Sequence, residues 1–276
     1  MTDFQRILDT TERHLLTLRA TGVRFLSVQP ETLSQLSEPP PVREIPPSLE
    51  TPAIVPIESP RDQQPPQLSE DSPTDMAGLR QRASVCLKCP HLVKSRKNVV
   101  FGVGDIHAQL MFVGEAPGAD EDAQGEPFVG AAGQLLTRII KTMGLSRETV
   151  YIANILKCRP DTPGQSSGNR KPTGDEMKTC LPYLLAQIDL IRPKVLVALG
   201  ATAIEGLLGA GGGIGKLRGK FQIFRDIPLM PTFHPAYLLR NQAPTEKRKV
   251  WEDMLKVMEK LQMPISEKQQ GYFLQP

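Results

Sequence analysis

The chain has 276 residues and a net charge of +3, but the charge is divided: residues 1–78 hold 6 Arg, no Lys and 12 Asp or Glu, a net −6, which leaves +9 on the other 198. A basic folded part favours a polyanionic partner such as nucleic acid. No run of 18 apolar residues occurs and the amino terminus lacks a signal-peptide core, so no membrane association and a cytoplasmic protein are expected.

In chain order, residues 1–26 place Phe4, Ile7, Leu8, Leu15, Leu16 and Leu18 at helical spacing, an amphipathic helix suited to a protein partner, to its own core or to a second copy. Residues 27–75 read as a disordered, acidic, Pro-rich linker. Between residues 30 and 73 lie 12 of the 26 prolines, and no aromatic residue occurs from Phe25 to Phe101, too little apolar surface to offset the entropy of ordering.

Residues 76–276 alternate short apolar runs with helical patterns, which predicts an α/β fold, three layers α/β/α around a short, mainly parallel sheet. The strands are "AQLMFVG", "VYIANIL", "KVLVALG" and "IPLMPTF". A helix over 131–143 is stopped by Gly144, and a Thr173/Glu176 capping box opens the helix of "GDEMKTCLPYLLAQIDLI". The last helix, within "APTEKRKVWEDMLKVMEKL", turns Val250, Met254, Val257, Met258 and Leu261 inward. Ligands of open α/β sheets sit beyond the carboxyl ends of the strands, a rule that gathers Glu115, Asn154, the Gly200 turn and His234 at one crevice.

Cys86 and Cys89 form a C-x2-C pair, followed by the distant single cysteines Cys158 and Cys180, with none left over. In a cytoplasmic chain this spacing is a metal-ligand pattern, and four thiolates suit structural zinc and a 4Fe–4S cluster equally. The run "GAGGGIGK" is not a phosphate loop, because Ala210 and Leu217 stand where that motif needs Gly and Ser or Thr. Its Lys216, with Arg218 and Lys220, is a candidate contact to a phosphate backbone.

"GEAPGADED" with "GEPFVG", "NILKCRP" with "GNRKPT", "HPAYLLR" and the four cysteines in order resemble the family 4 uracil-DNA glycosylases over about residues 79–262. The resemblance implies a repair enzyme that flips uracil out of DNA and hydrolyses its N-glycosidic bond, acting as a monomer on uracil-containing DNA, with a structural 4Fe–4S cluster on the four cysteines. Phe128 is similar to the aromatic that stacks on the flipped base, beside Ala116 of the pocket wall. Asn154 offers the donor and acceptor that tell uracil from cytosine, and His234 matches the histidine at uracil O2. Glu115, with Asn169 as a second candidate, positions water or opposes the cationic sugar, while Glu121 and Asp122 brace the loop.

Leu238 and Arg240 fall where a wedge fills the gap left by the base, with ordinary helix packing as the other reading. The segment between Cys158 and Cys180 carries an added "DTPGQSSG", and residues 159–179 contain no histidine, which favours turnover over a covalent trap on the sugar. The alternative function is a catalytically silent iron–sulfur protein that binds DNA or transfers electrons.

Overall fold

The computed structural model of the chain describes residues 75–161, 169–209 and 213–274. The helix expected over residues 1–26 and the linker over 27–75 lie outside the described residues, apart from Asp75, whose side chain caps the first helix through the Gly78 N–H at 2.7 Å.

Two short helices come first, α1 (Met76–Ser84) and α2 (Pro90–Ser95), then β1 (Val103–Gly104) and β2 (Leu110–Gly114). The chain continues through α3 (Ala119–Gln124), α4 (Ala131–Thr142), β3 (Tyr151–Asn154), α5 (Gly174–Ile191), β4 (Val195–Leu199) and α6 (Ala201–Leu208). It closes with α7 (Ile214–Leu217), β5 (Gln222–Phe224), β6 (Ile227–Thr232), α8 (Pro235–Arg240), α9 (Pro244–Lys260) and α10 (Glu267–Gly271).

The six strands form one sheet in the order β1-β3-β2-β4-β6-β5. The four inner strands are parallel, with Gly114 opposite Asn154 and Leu199 opposite Thr232, whereas β1 and β5 add antiparallel edges. Every residue of β2, β3 and β4 is buried, as strands covered on both faces must be. On one face Met111, Val113, Ala153, Leu196 and Ala198 pack against Leu184 and Ile188 of α5 and Ile204 of α6. On the other, Leu110, Phe112, Ile152, Val197 and Met230 meet Leu136 and Ile140 of α4 and Trp251 and Met254 of α9. These are the three layers read from the sequence.

The Thr173 capping box is present, with the Thr173 hydroxyl accepting the Glu176 N–H and the Glu176 carboxylate reaching back to the Thr173 N–H. The two edge strands were not among the expected ones. The β5–β6 hairpin turns on Arg225 and Asp226, both at positive φ (48° and 64°), a two-residue turn without the Asn-Gly pair that announces it. Among the described residues no helix is long and apolar enough to cross a membrane.

Candidate active site

Parallel strands deliver their carboxyl ends to the same edge of the sheet. Glu115 follows β2, Asn154 ends β3 and His234 follows β6, and all three line one cavity of about 410 Å³. Ala116, Phe128, Asn169, Arg170 and Arg240 complete its wall and mouth. Gly200, after β4, lies close to the His234 side chain, its N–H donating to the Thr232 carbonyl at 2.9 Å.

Asn154 is 2% exposed, and its Oδ1 is, among the described residues, the one buried side-chain N or O atom with no hydrogen-bond partner. A buried acceptor left unpaired costs about 1–3 kcal/mol, which singles this oxygen out as a group awaiting a ligand. Space for it comes from Gly114, where any Cβ would overlap both Asn154 Oδ1 and the Phe128 ring.

Phe128 is buried, its ring centroid 5.6 Å from that of His234. Its backbone is held at φ 55°, costly for an aromatic residue. Two devices maintain it. The Arg147 guanidinium donates to the Phe128 carbonyl at 3.0 Å and the Pro127 carbonyl at 2.7 Å. Gly133, in the first turn of α4, gives the Phe128 carbonyl room that a Cβ would take. Glu121 and Asp122 brace the same loop as expected: Glu121 accepts the N–H groups of Val129 and Gly130, both at 3.0 Å, and Asp122 those of Lys97 and Asn98.

His234 is the N-cap of α8, its Nδ1 accepting the Ala236 N–H at 3.1 Å. Burial, reinforced by the positive charge of Arg240 and opposed by Glu121, lowers its pKa to about 4. The ring is therefore neutral near pH 7, with its proton on Nε2. Glu115 is half-buried in the wall, and none of the described residues hydrogen-bonds its carboxylate. Asn169 is exposed at the rim, where its Oδ1 accepts from Arg159 Nε at 2.9 Å. Its neighbour Arg170 pairs with buried Glu176, and that guanidinium, with the Thr173 N–H and His91, takes the carboxyl down to about 2.

Two of the residues expected to touch DNA stand elsewhere. Leu238 is 4% exposed, turned toward a small apolar cavity that it lines with Leu135, Ile139, Val250 and Trp251, and so has little exposed apolar surface to serve as a wedge. Arg218 is 15% exposed and committed to Asp253 at 2.7 Å and to the Lys249 carbonyl, so it is a structural cation rather than a phosphate ligand. Arg240, at the cavity mouth, and Lys216 are exposed.

The four cysteines converge without disulfides. Cys89, Cys158 and Cys180 share an apolar cluster with Leu92 and Leu156, and Cys86 and Cys158 are close enough to raise the pKa of both Cys89 and Cys180. Cys158 Sγ accepts from Arg96 Nη1 at 3.1 Å and Cys180 Sγ from the Lys157 N–H at 3.2 Å, the hydrogen bonding that tunes metal-bound thiolates. Burial is the main cause of raised thiol pKa values, pushing Cys180 up to about 12, so these sulfurs ionise only with a positive partner. Among the described residues no three His, Cys, Asp or Glu side chains are grouped to hold a single ion. A tetrahedral zinc would draw the sulfurs to about 3.8 Å from one another.

Sequence reasoning missed Gly114, Gly133 and Arg147. Both glycines lie in motifs it quoted or adjoined, but only the approach of Phe128 shows why a side chain is excluded there.

A family model described as the uracil DNA glycosylase superfamily matches residues 101–255. The chain is similar to the type-4 uracil-DNA glycosylase of Thermotoga maritima, 46% identical over 181 residues that span 64% of this chain and 90% of the relative. Its likeness to the type-4 uracil-DNA glycosylase of Saccharolobus solfataricus is 45% over 185 residues, spanning 64% and 82%. A type-5 uracil-DNA glycosylase of Pyrobaculum aerophilum is 28% identical over 189 residues, spanning 56% of this chain and 80% of that one.

Proposed function

Because the chain belongs to the uracil-DNA glycosylase superfamily, we propose that it excises uracil from DNA, drawing the flipped nucleotide into the cavity beside Asn154 and hydrolysing its N-glycosidic bond to leave an abasic site. The observation that carries this reading is the buried, unpartnered Asn154 Oδ1. Uracil presents an N3–H donor and an O4 acceptor side by side, which one amide satisfies through Oδ1 and Nδ2. Cytosine presents the opposite pair. A silent DNA-binding or electron-transfer protein has no use for such an atom in a dry pocket.

The other walls fit the same ligand. Phe128 offers its ring for stacking on the base, and His234 directs its Nε2–H to O2, where negative charge gathers as the bond to the sugar breaks. A preorganised donor of this kind lowers the barrier by about 3–4 kcal/mol, and a neutral ring supplies it without a proton to lose. Glu115, free of other partners, positions the attacking water or opposes the cationic sugar, with Asn169 at the rim as second candidate. Glu121 is excluded from that work by its bonds to Val129 and Gly130. Arg240 and Lys216 contact the DNA backbone.

Cys86, Cys89, Cys158 and Cys180 fit a 4Fe–4S cluster: four buried or half-buried thiols, two of them hydrogen-bonded, Cys158 by Arg96 and Cys180 by the Lys157 N–H. When bound, the cluster takes no part in cleaving the glycosidic bond and joins the α1–α2 segment to the β3 exit and α5. Incubating the purified full-length chain with a uracil-containing oligonucleotide, then treating with alkali, tests the function. Strand cleavage at uracil and not at thymine is expected, and an intact strand from folded, iron-loaded protein refutes it.

A further inference from the structure

Lys157 is 1% exposed, the only buried Lys or Arg among the described residues, and no carboxylate pairs with it. Its Nζ donates instead to the Asn154 backbone carbonyl at 3.0 Å and to Gln187 Oε1 on α5 at 2.6 Å, and lies 5.9 Å from the centre of the Phe101 ring. Gln187 is itself fully buried and spends its Nε2 on the Phe101 carbonyl and the Tyr151 hydroxyl, both at 3.0 Å.

An amine in such a place costs desolvation that an apolar side chain of the same shape avoids. Besides its bond to Gln187 and its place near the Cys180 sulfur, what the amine supplies is a donor at the carbonyl of Asn154. The following N–H groups, of Ile155 and Leu156, are still held by the Gly114 and Glu115 carbonyls, and the Asn154 carbonyl, buried at the end of strand β3, takes its hydrogen bond from the Lys157 amine. The carbonyl and the amide side chain hang from one Cα. Fixing the peptide plane fixes the origin from which the side chain reaches the base.

We infer that Lys157 is a positioning residue for base recognition, its amine, anchored on Gln187, holding the Asn154 peptide so that the amide side chain meets uracil in register. The inference rests on Asn154 reading the base, as proposed above. It goes further in placing part of uracil selectivity in a side chain that never touches the substrate, reached through α5, the helix that carries Cys180.

The test uses the full-length, cluster-loaded chain. Lys157→Met keeps the volume and removes the donor. It should lower single-turnover uracil excision about 10- to 100-fold and shrink the preference for uracil over cytosine, while iron content and visible absorbance stay at wild-type levels. Ile188→Val, next to Gln187 in α5 and in the core on that face of the sheet, measures what lost stability alone does and should leave rate and preference within about twofold. Should Lys157→Met not fold, Gln187→Leu removes the anchor from the other end, and the same two readouts should move in the same direction by less. Either variant, folded and iron-loaded, with wild-type rate and wild-type preference overturns the inference. Wild-type protein that releases no uracil instead refutes the reading of the site.

Discussion

The Nδ1 of His234 accepts the backbone N–H of Ala236 at 3.1 Å, so one hydrogen bond both caps α8 and decides which nitrogen of the ring faces the cavity with a proton. The donor aimed at the base is set by the fold rather than by the substrate. His234→Ala should therefore lower single-turnover uracil excision by about 10²- to 10³-fold with the fold intact. A variant within threefold of wild type would remove His234 from the chemistry.

The pH dependence follows from the same burial. With a folded pKa of about 4 against the usual 6.5, the ring stays neutral across the physiological range, and His234 should put no inflection on the excision rate between pH 6 and 8. Stability moves with a definite sign. Between about pH 6.5 and 4 the unfolded chain binds a proton that the folded ring refuses, so stability falls as pH drops through that window. Denaturant unfolding at pH 7 and pH 5 should show this loss in wild type and a smaller one in His234→Gln.

Asn154→Asp replaces the amide donor with an anionic acceptor. It should repel uracil O4 and disfavour the anionic leaving group while accepting from cytosine N4, each mispaired buried group costing about 1–3 kcal/mol. Uracil excision should fall steeply and the cytosine-to-uracil ratio should rise, measured on matched single-stranded oligonucleotides. Unchanged rates and ratio would show that Asn154 does not read the base.

Phe128 depends on Arg147 and Gly133 for its backbone conformation. Removing the guanidinium in Arg147→Met, or adding a Cβ in Gly133→Ala, should displace the stacking ring by an ångström or so and cost about 10²-fold in uracil excision. The core of α5 and α6 lies on the opposite face of the sheet, so the circular-dichroism spectrum should persist. Full activity in both variants would make Phe128 a mere plug.

Protein purified without oxygen should carry about four iron atoms per chain and a broad visible absorbance, both lost in Cys180→Ser. Colourless protein with stoichiometric zinc would overturn the cluster assignment.

How much of this was legible in the sequence depended on whether a feature was local. Strands such as "LMFV" and "VLVAL" announce themselves because both faces are buried, and the strand-end rule then brought Glu115, Asn154 and His234 together. Leu238 was misread because a six-residue helix does not reveal which leucine turns inward until α4 and α9 lie against it. Arg218 was misread because its carboxylate, Asp253, is 35 residues away on a helix that reads as a surface one. Arg147 was missed for the same reason: its acceptors are main-chain carbonyls about 20 residues distant, and carbonyls carry no sequence signal. The β5–β6 hairpin went unseen because Arg-Asp carries a turn that composition assigns to Asn and Gly.

Chain order also imposes a chronology on the four thiols. Cys86 and Cys89 leave the ribosome about ninety residues before Cys180, a lead on the order of 5–20 s at ordinary translation speed. They can meet Cys158 and Cys180 only once those residues have been made in turn. For that interval the nascent chain displays a bare dithiol, open to oxidation or to capture by whichever soft metal arrives first. For the cluster proposed here, loading is thus a matter of timing during synthesis as much as of affinity in the finished protein.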